Sequence, residues 1–259
     1  MHDHEIQSLA DELYYAERNA VPIPPLTKQY DTLTITDAYA IQMINIERAE
    51  AMGYGISGKK IGLTSPGMQR LLGVDEPDYG HLFSEMDCAD ATVDSAKLIG
   101  PKVEAEIAFI LSADLTGPSV SLDDVRKATE YVVGAFEIVD SRVADWKIKL
   151  ADTVADNASS GRYILGEKRL RLSDVDLAAE TMKLYKNGSL VEEGVGANVL
   201  GDPCIAVAWL ANKLLSYGVA LKKGEIVLSG AFSAAPEAAK GDIFNVEFSS
   251  FGTIKASFI

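Results

Sequence analysis

Residues 103–111 read Val-Glu-Ala-Glu-Ile-Ala-Phe-Ile-Leu, an apolar run that is interrupted only by Glu104 and Glu106. Its length and its β-branched and aromatic residues predict a buried strand. Because successive side chains of a strand point to opposite faces, the two glutamates share one face. An ionised carboxylate is costly to bury unless it is paired or binds a metal ion. This stretch therefore predicts a core strand whose carboxylates have a chemical role.

A second run of the same kind follows at residues 131–139, where Glu137 is the one charged side chain. The alternative for either run is an edge strand whose glutamates face water, because two acids spaced two apart are a weak motif. A third isolated glutamate disfavours that alternative. Three carboxylates suit a hard cation such as Mg²⁺ or Mn²⁺ better than Zn²⁺, and they leave coordination positions open for a chelating 2-keto acid. The sequence thus predicts a metal site formed by Glu104, Glu106 and Glu137.

Helices are predicted both before and after these two strands in the sequence. Helical spacing of apolar residues predicts helices over residues 3–19 and 36–52, the second of them capped by Thr36. A further helix is predicted over residues 202–218, with Ile205 on its apolar face and its end at the glycine. The first two helices predict a helical layer at the N-terminus.

Turn signals and short apolar runs complete the pattern. Asn187-Gly188, at the centre of residues 182–192, predicts a two-residue β-hairpin. Further strands are predicted over residues 225–229, 243–248 and 253–258. Because strands and helices do not alternate regularly, we expect an α+β fold. Its predicted core is a mixed β-roll or sandwich with flanking helices, in which an N-terminal helical segment, residues 1–57, packs on a main domain, residues 58–259.

Composition restricts the classes of partner. The chain has 259 residues, 47% of them hydrophobic, which predicts one large globular domain or one domain with a small appendage. A formal net charge of −14 disfavours binding to nucleic acid and to anionic membranes. The polar N-terminus and the lack of a long apolar run predict a cytoplasmic protein. An anionic substrate would need local positive charge in so acidic a chain.

Six segments of the chain form a recognisable set in order and spacing: GKKIGLTS at 58–65, GVDEPDYG at 73–80, PKVEAEIA at 101–108, FEIVDSR at 136–142, DWKIKL at 145–150 and DTVADNAS at 152–159. With these motifs the chain resembles, over essentially its whole length, the 2-hydroxypenta-2,4-dienoate hydratase (2-keto-4-pentenoate hydratase) family, whose fold is that of fumarylacetoacetate hydrolase. The resemblance implies hydration of 2-hydroxypenta-2,4-dienoate, by way of its 2-keto tautomer, to 4-hydroxy-2-oxopentanoate in meta-cleavage catabolism of aromatic compounds. It also implies a homo-oligomer and a complex with the pathway decarboxylase.

The family match also implies roles for individual residues. Lys60 is implied as the proton-transfer group, with a pKa lowered by burial and by the nearby cation. Its neighbour Lys59 is then expected to face solvent. Asp78 is the second candidate, for activating water, with a turn-stabilising role beside Pro77 as the alternative. The expected substrate-binding residues, each also at home in an ordinary turn or strand end, are Asp156, Ser159, Ser160 and Ser229.

Three other functions stay open from the sequence. The same metal site would serve a 4-oxalocrotonate decarboxylase, although the DWKIK run at 145–149 favours the hydratase. An acylpyruvate-type hydrolase and a non-catalytic partner subunit are the remaining alternatives. Two residues depart from the family pattern: His81, predicted to be a loop or packing residue, and Ser160, where many hydratases have cysteine.

Overall fold

The computed structural model describes residues 1–65, 67, 69–70, 74, 76–116, 118–215 and 217–259. Gly73 and Asp75 of the second family motif lie outside these residues. The described helices are α1 (Asp3–Asn19), α2 (Leu26–Gln29), α3 (Ile35–Ala51), α4 (Leu122–Ala128), α5 (Leu150–Ala155) and α6 (Pro203–Leu215). The described strands are β1 (Ile56–Gly62), β2 (Asp78–Phe83), β3 (Thr92–Val93), β4 (Lys102–Leu111), β5 (Thr129–Val139), β6 (Ser160–Leu165), β7 (Thr181–Lys186), β8 (Ser189–Val195), β9 (Ile226–Leu228), β10 (Ile243–Phe248) and β11 (Gly252–Phe258).

One sheet carries both glutamate strands and curls so that its two outer strands approach each other. Within the described residues its order is β2-β1-β9-β4-β5-β6. The carboxamide of Asn157 bonds both backbone groups of His81 in β2, accepting from its N–H at 2.7 Å and donating to its carbonyl at 2.9 Å. Just beyond, the N–H of Cys88 donates to the carbonyl of Tyr163 in β6 at 2.9 Å. The sheet therefore forms a roll with an inner and an outer face.

A cluster of apolar side chains lines the inner face of the roll. Strand alternation places it on the same side of β4 and β5 as Glu104, Glu106 and Glu137. This core lies further along the strands than the glutamates, and its members include Leu82, Ala108, Val133, Ala135, Tyr163 and Leu228. The carboxylates thus lie inside the roll, beside apolar side chains that keep them from water.

The other sheet packs against the outer face of the roll. Its order is β3-β11-β10-β7-β8 among the described residues. A Cβ atom at Gly134 of β5 would come within 2.8 Å of the Phe248 ring and 3.1 Å of Ile254, so the absence of a side chain lets the two sheets approach. The predicted hairpin is confirmed, since Asn187 and Gly188 connect β7 and β8 with φ of 52° and 82°. The expected α+β roll or sandwich is confirmed as well.

Two details of the predicted helices are wrong. Thr34, and not Thr36, caps α3: its hydroxyl accepts from the Asp37 N–H at 3.1 Å, while the Asp37 carboxylate accepts from the Thr34 N–H. This reciprocal pair needs a spacing of three residues, which Thr36 lacks. In α6, Ile205 is 39% exposed and lies outside the apolar face that the sequence predicted. No helix within the described ranges is long and apolar enough to cross a membrane.

Candidate active site

Three carboxylates meet on the inner face of the roll. Glu104 of β4 lies directly opposite Glu137 of β5 in the antiparallel register, and Glu106 follows two residues later on the same face. One carboxylate oxygen from each lies within 4.8 Å of the others. Glu106 and Glu137 are fully buried and Glu104 is partly exposed. The alternative of edge strands with water-facing glutamates is therefore wrong, because both strands lie inside the sheet.

Several oxygens of this cluster lack a protein partner. The Gly230 N–H donates to Glu106 Oε2 at 2.8 Å, but Glu106 Oε1 and Glu137 Oε2 have no hydrogen-bond donor among the described residues. Burial raises the pKa of Glu106 and of Glu137, and burial together with the charge of Glu137 raises the pKa of Glu104 to about 7. An all-oxygen set with unsatisfied lone pairs fits a hard divalent cation, which would compensate the crowded negative charge.

Lys60 is the one cation in contact with the cluster in the described part of the chain. Its Nζ lies 3.1 Å from Glu137 Oε1, and the side chain is almost fully buried. Burial by itself would lower the pKa of Lys60, but the charges of Glu137, Asp78, Glu104 and Glu106 outweigh it and raise the pKa. Without a cation the four carboxylates that surround this ammonium group keep it charged, whereas the predicted lowering of its pKa concerns the metal-bound site.

Lys59 and His81 lie on the opposite face from Lys60. They are paired in the register of β1 and β2, and both are buried. Lys59 was expected to face solvent, but its Nζ bonds Glu225 Oε1 at 2.9 Å. His81, predicted to be a loop or packing residue, packs within a strand, where burial, together with the charge of Lys59, lowers its pKa to about 3. Neither side chain therefore shares the inner face with the carboxylates.

Asp78 faces Lys60 on the inner side of the roll. It is 2% exposed and begins β2, so the turn-stabilising alternative is wrong. Burial raises the pKa of Asp78, an effect that the charge of Lys60 only partly offsets. The residue opposite is Gly62, where an added Cβ would lie 2.3 Å from Asp78 Oδ1. Glycine is thus required there to admit the carboxyl group.

A left-handed turn of three residues without glycine follows α5. Asn157, Ala158 and Ser159 have φ of 51°, 50° and 53°. Each such residue costs about 1–2 kcal/mol relative to right-handed backbone. Strained backbone of this kind persists only where the surroundings hold it, and it concentrates at functional sites.

Asp156 and Arg142 hold this turn. The Arg142 guanidinium bonds Asp156 Oδ1 and donates to the carbonyls of Asp140, Asp156 and Ser160 at 2.6–2.7 Å. The Ser160 hydroxyl donates to the carbonyl of Asn157 at 2.7 Å. Asp156 and Ser160 were both predicted to bind substrate, but their side chains form hydrogen bonds within the turn. We expect them to position their neighbours.

The other two predicted substrate-binding serines are connected to different acidic groups of the site, Ser159 to Asp78 through Thr153 and Ser229 to Glu106 through the next residue. Ser159 Oγ is 3.4 Å from Thr153 Oγ1, which in turn donates to Asp78 Oδ2 at 3.4 Å. Ser229 is fully buried, its Oγ has no partner among the described residues, and it precedes the Gly230 amide that bonds Glu106. Ser159 Oγ also donates to Asp156 Oδ2 at 3.5 Å, so among the four predicted residues Ser229 is the one whose hydroxyl lacks a partner within the described residues.

Sequence reasoning missed Thr153 and Arg142 as parts of the site. Thr153 and Arg142 fall within family motifs, but no local rule marks a threonine or an arginine there as connecting a carboxylate to a turn. Gly230 has φ of 116°, and an added Cβ would lie 2.4 Å from Thr64 Oγ1. Its place directly after a predicted strand is the signal by which the sequence indicates it.

We expect Arg142→Met to lower the free energy of unfolding by about 3–5 kcal/mol, because it leaves the Asp156 carboxylate buried without its cation. Denaturant unfolding would measure the loss. The matched control is Arg126→Met, since Arg126 is 51% exposed and its ion-pair partner is the exposed Asp123, so a change within about 0.5 kcal/mol is expected. A loss below about 1 kcal/mol in Arg142→Met would show that the pair does not hold the turn.

The raised pKa values also predict how a metal ion stabilises the protein. Glu104 has a pKa of about 7 in the folded chain against 4.5 as its ordinary value, so the metal-free fold binds more protons than the unfolded chain between those values. Its stability therefore falls as pH rises from about 4.5 to about 7, while metal binding requires the ionised form. We expect the rise in melting temperature caused by Mg²⁺ to be larger at about pH 8 than at about pH 6. An equal rise at both pH values would contradict this.

Fold and site together define the class of protein to which the chain belongs. The family model described as fumarylacetoacetate (FAA) hydrolase C-terminal matches residues 89–259, the region that contains all three glutamates. The chain therefore belongs to the fumarylacetoacetate hydrolase family.

Relatives that match over the whole chain have more specific names. The 2-hydroxyhexa-2,4-dienoate hydratase of Comamonas testosteroni is 44% identical over 98% of this chain and 97% of its own length. A 2-keto-4-pentenoate hydratase of Paraburkholderia xenovorans LB400 is 44% identical over 97% of this chain and 94% of its own. Among solved structures, 4-oxalocrotonate decarboxylase from Pseudomonas putida G7, complexed with magnesium and adipate, has a TM-score of 0.97 at 39% identity, with 100% of this chain and 99% of that one covered. These likenesses confirm the resemblance that the motifs predicted.

Proposed function

We propose that the chain is a hydro-lyase that adds water to 2-hydroxypenta-2,4-dienoate, by way of its 2-keto tautomer, to give 4-hydroxy-2-oxopentanoate in aromatic meta-cleavage catabolism. The observation that carries the proposal is the buried cluster of Glu104, Glu106 and Glu137 beside Lys60, in a chain that aligns end to end with hydratases. Mg²⁺ or Mn²⁺ is the proposed cofactor, and the magnesium in the similar decarboxylase structure supports it.

The three glutamates would hold the cation. Bound there, it would supply positive charge to stabilise the enolate that develops at the substrate's C2 oxygen. The Ser229 and Ser159 hydroxyls are proposed to donate hydrogen bonds to the substrate's carboxylate. The apolar inner core beside the cluster excludes water from one side of the site, which strengthens these electrostatic contacts.

Lys60 and Asp78 are proposed to move the protons. Hydration requires that C5 gains a proton, the 2-hydroxyl loses one, water adds at C4 and C3 gains a proton. Lys60 Nζ, kept charged by the surrounding carboxylates, is the proposed acid. Asp78 is the proposed group that takes a proton from the attacking water. One of its oxygens, Oδ1, has no hydrogen-bond partner among the described residues and is available for this contact.

A decarboxylase of 2-oxohex-3-enedioate is the second candidate, and the whole-chain structural match favours it. The same cluster would stabilise the enolate left by loss of CO₂. The substrates differ in charge, since the decarboxylase substrate has a second carboxylate. Relatives named hydratases, at 44% identity, favour the first candidate.

The deciding experiment mixes metal-stripped protein, Mg²⁺ and freshly generated 2-hydroxypenta-2,4-dienoate. We expect metal-dependent loss of the diene absorbance and a product heavier by one water. Persistence of the diene, or ketonisation without hydration, would refute the hydratase. Release of CO₂ from 2-oxohex-3-enedioate would then establish the second candidate.

The setting of the enzyme is also proposed. We propose a cytoplasmic homo-oligomer that binds the pathway decarboxylase, with an N-terminal helical segment, residues 1–57, packed on the catalytic domain, residues 58–259. Gln42 supports the packing, since its Nε2 donates to the carbonyl of Val154 at 2.8 Å and to that of Tyr79 at 3.2 Å. Light scattering would measure the oligomer, and co-purification would test the complex.

A further inference from the structure

Lys102 continues the row of inner-face residues that holds the carboxylates. It begins β4, and alternation along the strand places it on the same face as Glu104 and Glu106. Exposure decreases along this row: Lys102 and Glu104 are partly exposed, whereas Glu106 is fully buried. The row therefore leads from solvent into the roll, and Lys102 is its outermost charge.

Trp146 holds the Lys102 ammonium group at this position. The Nζ lies 4.6 Å from the centroid of the indole ring, within the range of a cation–π contact. The indole is itself fixed, because its Nε1 donates to the carbonyl of Gly100 at 2.8 Å. A lysine on a free surface would sample many rotamers, so this contact keeps the charge near the entrance.

The charges of the site show why a cation is useful there. When Glu104, Glu106, Glu137 and Asp78 are all ionised, Lys60 and a divalent cation together leave one negative charge. The whole chain, these side chains included, has a formal net charge of −14. A carboxylate substrate would then be repelled both at long range and at the entrance. Lys102 offsets the residual charge of the site.

We propose that Lys102, oriented by Trp146, recruits the carboxylate substrate into the roll. The inference rests on the proposed function only in that the substrate is a small organic anion. Such a residue acts on the rate of encounter and on weak initial binding, with little effect on the chemical step. Its effect also depends on ionic strength, because salt screens charges over about 10 Å at 0.1 M.

The test compares wild type, Lys102→Gln and Lys183→Gln at low and high ionic strength. Lys183→Gln is the matched control, since this lysine is 55% exposed on β7 and its loss changes the net charge equally. For Lys102→Gln we expect kcat/KM to fall about 3–10-fold at low salt with kcat nearly unchanged, and the deficit to vanish at high salt. Lys183→Gln should match wild type. A deficit that is independent of salt, or equal in both variants, would overturn the proposal.

Two further measurements keep the test independent of folding and of the reaction. Trp146→Leu keeps the Lys102 charge but removes the ring that holds it in place. We therefore expect kcat/KM to fall less than in Lys102→Gln, with the same dependence on salt. An unchanged kcat/KM would show that Trp146 does not orient the lysine. Oxalate binding to the Mg²⁺-loaded proteins, followed by calorimetry, should be weaker in Lys102→Gln with the same salt dependence. If wild type binds oxalate more tightly than Lys102→Gln at low salt but does not hydrate the dienoate, the proposed function fails and the role of Lys102 stands. Oxalate binding that is equal in both proteins at low salt would refute the role itself.

Discussion

Glu137→Gln is expected to abolish hydration and to weaken Mg²⁺ binding by more than about 100-fold. Residues that only hydrogen-bond to a metal ligand contribute about 10–100-fold to metal affinity. This substitution removes the charge of a ligand itself, so its effect should be larger. Glu137 is also the member of the cluster that faces Glu104 across the strand pair and contacts Lys60. Calorimetric titration of the metal-stripped variant with Mg²⁺ would measure the loss.

The same variant should remain folded. Glutamine has nearly the same shape, and its neutral amide relieves the crowding of buried carboxylates that raises the pKa of Glu104 to about 7. We therefore expect the metal-free variant to be at least as stable as metal-free wild type above about pH 7. Glu247→Gln, on an exposed position of β10, is the control that should bind Mg²⁺ normally. Normal Mg²⁺ affinity in Glu137→Gln would refute the proposed metal site.

Lys60→Met is expected to lower kcat by about 10²–10⁴-fold, the usual contribution of a positioned proton donor or acceptor. Its Mg²⁺ affinity should be equal to or higher than that of wild type, because a competing positive charge has been removed from the cluster. Single-turnover measurement of diene loss at saturating Mg²⁺ would separate the chemical step from metal binding.

Lys59→Met is the matched control for this variant. Lys59 adjoins Lys60 and is equally buried, but it bonds Glu225 on the other face of the sheet. Its replacement is expected to lower stability, since Glu225 loses its partner, while kcat stays within about twofold of wild type. Equal losses of kcat in both variants would show that Lys60 acts through the fold and not through proton transfer.

Much of this site could be predicted because strand geometry is local. Alternation placed Glu104 and Glu106 on one face from their spacing alone, and Asn187-Gly188 predicted its hairpin from two residues. The pairing of Glu104 with Glu137 could be expected only as a consequence of metal binding, because the register of distant strands is set by turns and packing along the whole sheet.

The remaining features depend on contacts between residues far apart in the chain. Lys59 is buried because Glu225, more than a hundred residues later, neutralises it. The turn at residues 157–159 carries none of the glycines that usually mark left-handed backbone, so its conformation depends on Arg142 and Asp156. The closure of the roll rests on the Asn157 side chain, which bonds the backbone of His81, and on the backbone hydrogen bond from Cys88 to Tyr163. Local propensity contains none of this information.

Closure of the roll also decides which strands can join those of another molecule. Unpaired strand edges are templates for aggregation, and proteins protect them by covering, shortening or closing them. Asn157 occupies backbone groups of β2, and on the other sheet β3 is only two residues long. The other edge strand of that sheet, as the described residues have it, is β8, where Leu190 and Val191 are 49% and 38% exposed. Fibrillar association of partly unfolded protein should therefore begin at β8, and Val191→Lys should suppress it.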